Sequence, residues 1–198
     1  MLILASRSPT RKSLLQQAKL PFSVDAASVD ERTLEAEALR GGADAAEVAQ
    51  LLAQAKARAV SVNHSGALAI GADQILALGE TLLHKPETMA DAAGQLDRLR
   101  GKTHRLHAAV TLVRDGKVLW SDVQTAELTM RTFSDEERDQ VLRLEGEEVL
   151  HSVGSYRLEG PSIRLFEAVC GDYFTILGLP LLPLLAALRD IAPELFSA

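Results

Sequence analysis

Leu2-Ile3-Leu4-Ala5-Ser6-Arg7-Ser8-Pro9-Thr10-Arg11-Lys12 opens the chain and sets its architecture. Four apolar residues read as a short buried strand, and the helical pattern Leu14-Leu15…Ala18 follows closely. Between them lies a turn crowded with hydroxyls and cations. Ser8 is placed to cap the helix, with Pro9 at its first position, where a missing N–H costs nothing. The amides of the first helical turn then face the same space as the Ser6 and Ser8 hydroxyls and the charges of Arg11 and Lys12. Amides, hydroxyls and cations together describe an anion site, most naturally for phosphate. An ordinary capped helix with solvated basic residues gives the same pattern at this level.

Outward from that corner, helices and strands interleave. Phe22 to Ala26 reads as a short strand leading into an acidic loop at Val29-Asp30-Glu31, and Ala45 to Ser61 as a long Ala/Leu helix. Ala67 to Ala72 reads as a buried central strand ending at Asp73. Gly79-Glu80 marks a hairpin between two apolar arms, and Met89 to Arg100 a helix closed by Gly101. Thr103–Arg114 and Lys117–Arg131 form a second hairpin around Asp115-Gly116, and Ser134-Asp135-Glu136-Glu137 is a capping box for a helix ending near Glu145. Gly146 to Gly160 is mostly loop, Ile163 to Phe166 a strand, and the apolar run from Ile176 to Leu185 a buried helix. No repeat or linker divides residues 1–198, so a single domain, or two intimate lobes, on a mixed sheet is expected.

The bulk numbers exclude several classes. With 21 basic against 27 acidic residues the net charge is −6, which disfavours nucleic acid as a partner. Any anionic ligand must therefore meet cations gathered locally. The only cysteine, Cys170, rules out an internal disulfide, fits a cytoplasmic location and reads as a buried small residue. No segment reads as a signal peptide, and the C-terminal apolar run is broken by two prolines and too short to span a bilayer, so no membrane association is expected.

Asp73 is the first candidate for chemistry, as a carboxylate at the end of a buried strand beside the small residues Gly71 and Ala72. Its alternative is a loop aspartate capping a turn. Lys85 precedes Pro86, which favours an extended backbone and holds the ammonium in one direction; its alternative is a solvated loop lysine. Glu31 and Glu159 lie in loops, where most carboxylates are simply solvated. They gain interest if a phosphate site holds Mg²⁺, which takes oxygen ligands. Other arrangements fail: the chain holds neither a P-loop nor a dinucleotide fingerprint, and Gly154-Ser155-Tyr156 lacks the second glycine of a nucleophile elbow. His104 and His107, three apart in a strand, fall on opposite faces and cannot share one zinc.

Ala5-Ser6-Arg7-Ser8-Pro9-Thr10-Arg11-Lys12-Ser13-Leu14-Leu15 resembles the N-terminal signature of the Maf family, A-S-x-S-P-x-R-x-x-L-L. Gly71-Ala72-Asp73-Gln74, His84-Lys85-Pro86, Leu96 to His104, Tyr156 to Gly160 and Gly171 to Leu181 resemble its later blocks, in order across about residues 2 to 189. The resemblance implies an inosine-triphosphatase-like α/β fold, a mixed twisted sheet flanked by helices with a cleft between two lobes. It implies a cytoplasmic nucleoside triphosphate pyrophosphatase, homodimeric, that uses Mg²⁺ or Mn²⁺ to release a monophosphate and pyrophosphate.

Carried over by position, the resemblance puts Ser6, Ser8, Arg11 and Lys12 in the phosphate-binding element and Lys56 at a helix lysine. It makes Asp73 the general base, Lys85 a second phosphate-facing lysine, and Glu31 with Asp73 the metal carboxylates. Thr10 stands where many members have a first arginine. Glu159 and Gln74 stand where the branch hydrolysing dTTP and UTP has glutamine and threonine, and so lean toward the branch preferring 7-methyl-GTP. The alternative is a nucleotide-binding regulator of cell division and septum formation with little catalysis.

Overall fold

A computed structural model describes residues 1–26 and 28–196. The strands are β1 (Leu2–Leu4), β2 (Ser23–Val24), β3 (Leu68–Leu78), β4 (Thr81–Leu83), β5 (Thr103–Arg114), β6 (Lys117–Met130) and β7 (Phe166–Cys170). The helices are α1 (Pro9–Gln17), α2 (Glu31–Arg40), α3 (Ala45–Ser61), α4 (Met89–Leu99), α5 (Asp135–Glu145), α6 (Tyr173–Ile176) and α7 (Leu181–Ile191). The seven strands hydrogen-bond in the order β2-β1-β3-β5-β6-β7, with β4 paired to β3. β1 runs parallel to β2 and β3, whereas β3–β4 and β6–β7 are antiparallel, so the sheet is mixed. Among the described residues no helix is long and apolar enough to cross a membrane.

The chain divides into two compact units, the first comprising Met1–Gln74, Ala108–Gln124 and Tyr173–Ala198. Its sheet is covered on both faces, which is why β1 reads as an unbroken apolar run. Leu2 and Leu4 share one cluster with Leu14 and Leu15 of α1, Ile70 of β3, Leu112 of β5 and Leu184 and Leu188 of α7. Ile3 and Ala5 point the other way, onto Ala57 and Val60 of α3 with Ala69 and Val113. α3 occupies the stretch expected of it and carries a full capping box between Asp44 and Glu47.

The second unit comprises Ile75–His107 and Thr125–Asp172. α4 packs on α5 there, and Leu96, Leu99, Leu106, Leu128 and Val141 are buried. His104 is buried and His107 partly exposed, as the strand alternation requires.

Several expectations are corrected. β3 does not stop at Asp73 but continues to Leu78, because apolar residues resume at Ile75 and its far end pairs with β4. Glu31 is not in a loop: it opens α2, whose N-cap is Asp30 accepting from the Thr33 amide at 3.1 Å. The strand expected over Ile163 to Phe166 begins only at Phe166, since Pro161 starts a 3-10 turn through Leu165. Cys170 is exposed, because β7 is the edge strand of the sheet and pairs with β6 on one side. The strand around Phe22 contracts to Ser23–Val24, and the final helix starts only at Leu181.

Candidate active site

The turn after β1 is held by its own hydroxyls. Ser6 Oγ accepts from the Ser8 amide at 3.2 Å, and Ser8 caps α1 by accepting from the Arg11 amide at 3.3 Å. Pro9 occupies the first turn, as its fixed backbone favours. Ser6 is buried, Ser8 half-buried and Lys12 exposed. Arg11 does more than carry charge. Its Nε donates to the Gly178 carbonyl and its Nη1 to the Ala72 carbonyl, both at 2.8 Å. Burial pulls its guanidinium pKa down, while Asp73 and then Glu31 push it back up.

Gln74 reinforces this latch by donating from Nε2 to the carbonyls of Thr175 at 3.1 Å and Ile176 at 2.9 Å. Arg11 and Gln74 thus tie the segment from Thr175 to Gly178 to the middle of β3.

Asp73 lies on the α3 side of β3, in alternation with Ala69 and Gly71. Gly71 permits a very close approach: a Cβ built there would lie 2.0 Å from the Ala53 carbonyl oxygen and 2.8 Å from the Ala57 Cβ. Helix α3 therefore sits almost on the strand backbone, and Lys56, between those two alanines, reaches Asp73. Its Nζ donates to Asp73 Oδ1 at 2.6 Å and lies 2.7 Å from Glu31 Oε2. Asp73 and Lys56 are largely enclosed, and Glu31 is half-exposed at the start of α2. Two carboxylates from separate elements thus converge on one ammonium, and the trio keeps one net negative charge.

Lys85 and Glu159 belong to the second unit. Lys85 is exposed in the loop after β4, with Pro86 buried behind it and the His84 carbonyl accepting from Gln95 Nε2 at 2.7 Å. Glu159 is exposed in a turn ahead of the 3-10 segment Pro161–Leu165. Sequence reasoning missed Glu145, whose buried carboxylate accepts from Arg157 and Ser162 below that turn. Its signal was faint, an ordinary glutamate ending an amphipathic helix.

Among the described residues no three His, Cys, Asp or Glu side chains gather into a metal site. Glu31 and Asp73 nevertheless make an all-oxygen pair around a cation position, a donor set suited to Mg²⁺, which keeps waters and takes its other ligands from substrate phosphates.

The family model for Maf-like proteins matches residues 1–191. The chain belongs to the Maf family. It is 51% identical over 188 residues to a 7-methyl-GTP pyrophosphatase of Brucella suis, covering 95% of this chain and 94% of that protein. It is 50% identical over 190 residues to a 7-methyl-GTP pyrophosphatase of Rhizobium etli, covering 96% of each. A nucleoside triphosphate pyrophosphatase of Bradyrhizobium diazoefficiens is 50% identical over 189 residues, covering 96% of this chain and 93% of that protein. In this chain the convergence of Glu31, Lys56 and Asp73 places the carboxylate of Gly71-Ala72-Asp73 against an ammonium from α3.

Proposed function

We propose that this Maf-family chain hydrolyses nucleoside triphosphates between the α- and β-phosphates, giving a monophosphate and pyrophosphate, with Asp73 as general base. The observation that carries the reading is the Glu31–Lys56–Asp73 cluster, an enclosed carboxylate held in one direction by an ammonium. Asp73 accepts a proton from water as the water attacks the α-phosphorus, and Lys56 fixes the carboxylate and offsets its charge. The Ser6–Ser8 turn, the first-turn amides of α1, Arg11, Lys12 and Lys85 bind the phosphates and the pyrophosphate that leaves. Glu31 and Asp73 are the residues that would hold Mg²⁺ or Mn²⁺, whose charge would neutralise phosphate oxygens.

The preferred base in this proposal is 7-methylguanine. Methylation at N7 gives the purine a positive charge, which the anionic Glu159 complements better than a neutral glutamine would. The names of the similar proteins support the same choice. A cytoplasmic homodimer completes the proposal, supported by the family resemblance.

The test is pyrophosphate release from a panel of triphosphates, 7-methyl-GTP and GTP included, with Mg²⁺ or Mn²⁺ and with chelator. Asp73→Asn should cut turnover by about 10²–10⁴-fold, the usual contribution of a general base, while nucleotide binding persists. Near-normal turnover in that variant would sink the assignment. Nucleotide binding without any pyrophosphate release from the wild-type protein would favour the regulator instead.

A further inference from the structure

Glu145 is a buried carboxylate at the last position of α5, its side chain closed to solvent. Burying an ionised carboxylate is costly unless its oxygens are paired. Its partners all come from one short piece of chain. Oε1 accepts from the Ser162 amide at 2.8 Å and the Ser162 hydroxyl at 2.7 Å, and Oε2 accepts from Arg157 Nε at 2.8 Å. Those donors stand at the two ends of the loop that exposes Glu159.

Gly160 lies directly against the carboxylate, where an added Cβ would come within 2.6 Å of Oε1. The Gly160 amide also closes the turn onto the Arg157 carbonyl at 3.1 Å. Just before the loop, the Ser155 hydroxyl donates to Gln95 Oε1 at 3.0 Å and the Tyr156 hydroxyl pairs with His104 Nε2 at 2.8 Å. Both flanks of Glu159 are therefore held to the body of the second unit, while Glu159 itself stays exposed.

We propose that Glu145 is a positioning residue: it clips the Arg157–Ser162 loop shut so that Glu159 meets the nucleobase, and so governs which base is selected. The proposal rests on the reading of Glu159 as a substrate contact. A clip of this kind acts on recognition of the base and leaves the chemistry at Asp73 alone. Glutamine at position 145 keeps the shape but sets an amide N–H₂ against N–H donors, which opens the clip.

The experiment compares kcat and KM for 7-methyl-GTP and GTP in the wild type, Glu159→Gln, Glu145→Gln and the double variant. Glu159→Gln should lower the preference for 7-methyl-GTP by roughly tenfold, the scale of one lost charged hydrogen bond. Glu145→Gln should lower it comparably, through KM with little change in kcat, and the double variant should match Glu159→Gln because both act through one contact. An unchanged preference in folded Glu145→Gln, an equal loss for both nucleotides, or multiplying effects in the double variant would overturn the positioning role alone. An inert Glu159→Gln, or a wild type without preference, would overturn the reading of Glu159 and this proposal with it. Should Glu145→Gln fail to fold, Gly160→Ala and Ser162→Ala strain the same clip, and an unaltered preference in both overturns the proposal.

Discussion

Replacing Gly71 with alanine should disable the site without touching any of its charged groups. The new methyl carbon would lie 2.0 Å from the Ala53 carbonyl oxygen and 2.8 Å from the Ala57 Cβ and amide nitrogen. Relief of the first contact requires α3 to withdraw from β3 by about 1 Å or more, given the 3–4 Å spacing of ordinary non-bonded contacts. Lys56 lies on α3 between those alanines and would retreat with it, stretching its 2.6 Å bond to Asp73.

Overpacking of this kind costs about 1–3 kcal/mol, or several degrees in Tm for a chain of this size. A misplacement of about 1 Å at a catalytic group costs about 100-fold in rate. Thermal melts and pyrophosphate release from 7-methyl-GTP read the two effects separately. The control is Gly94→Ala in α4, where an added Cβ meets nothing within 4 Å. That change should leave turnover intact and add about 0.5–1 kcal/mol of stability. A Gly71→Ala protein with normal Tm and normal turnover would refute the argument that the close approach of α3 places Lys56.

Arg11→Lys should lower stability by about 1–3 kcal/mol, because one ammonium cannot reproduce the fork that serves the Ala72 and Gly178 carbonyls. A melt unchanged within about a degree would show that the latch contributes nothing. Burial holds the His104 imidazole down at about 4, and its Nδ1 lacks a hydrogen-bond partner among the described residues. Unfolded, the same ring titrates near ~6.5, so between the two values only the unfolded chain takes up the proton. Stability should therefore fall by about 3 kcal/mol as pH drops across that interval, and His104→Gln should flatten the decline in urea melts. An identical slope in the variant would remove His104 as its cause.

Much of the candidate site was legible because its signals are local. Ser8 and Pro9 cap and start α1, Ser134 and Glu137 box α5, and Asp115-Gly116 turns the long hairpin, each through contacts within a few residues. Where the sequence misled, a wider context prevailed. Asp73 is a poor strand former and read as a strand end, yet pairing with β4 carries β3 past it. Glu31 read as loop because α2 has no buried residue to give it an apolar stripe. Cys170 read as core from its apolar neighbours, and edge position exposes it.

By itself the sequence determined the type of most elements, the phosphate-suited turn between β1 and α1, and the resemblance to Maf proteins. Those properties follow from propensities, caps and apolar periodicity, whose range is about one helical turn. Only the tertiary structure decided that Lys56 bridges Glu31 and Asp73, that Arg11 latches two carbonyls, and that Glu145 lies closed beneath the loop of Glu159. Each of these joins residues distant in sequence. Their meeting depends on how closely one element can pack on another, as the missing side chain of Gly71 allows α3 to do on β3.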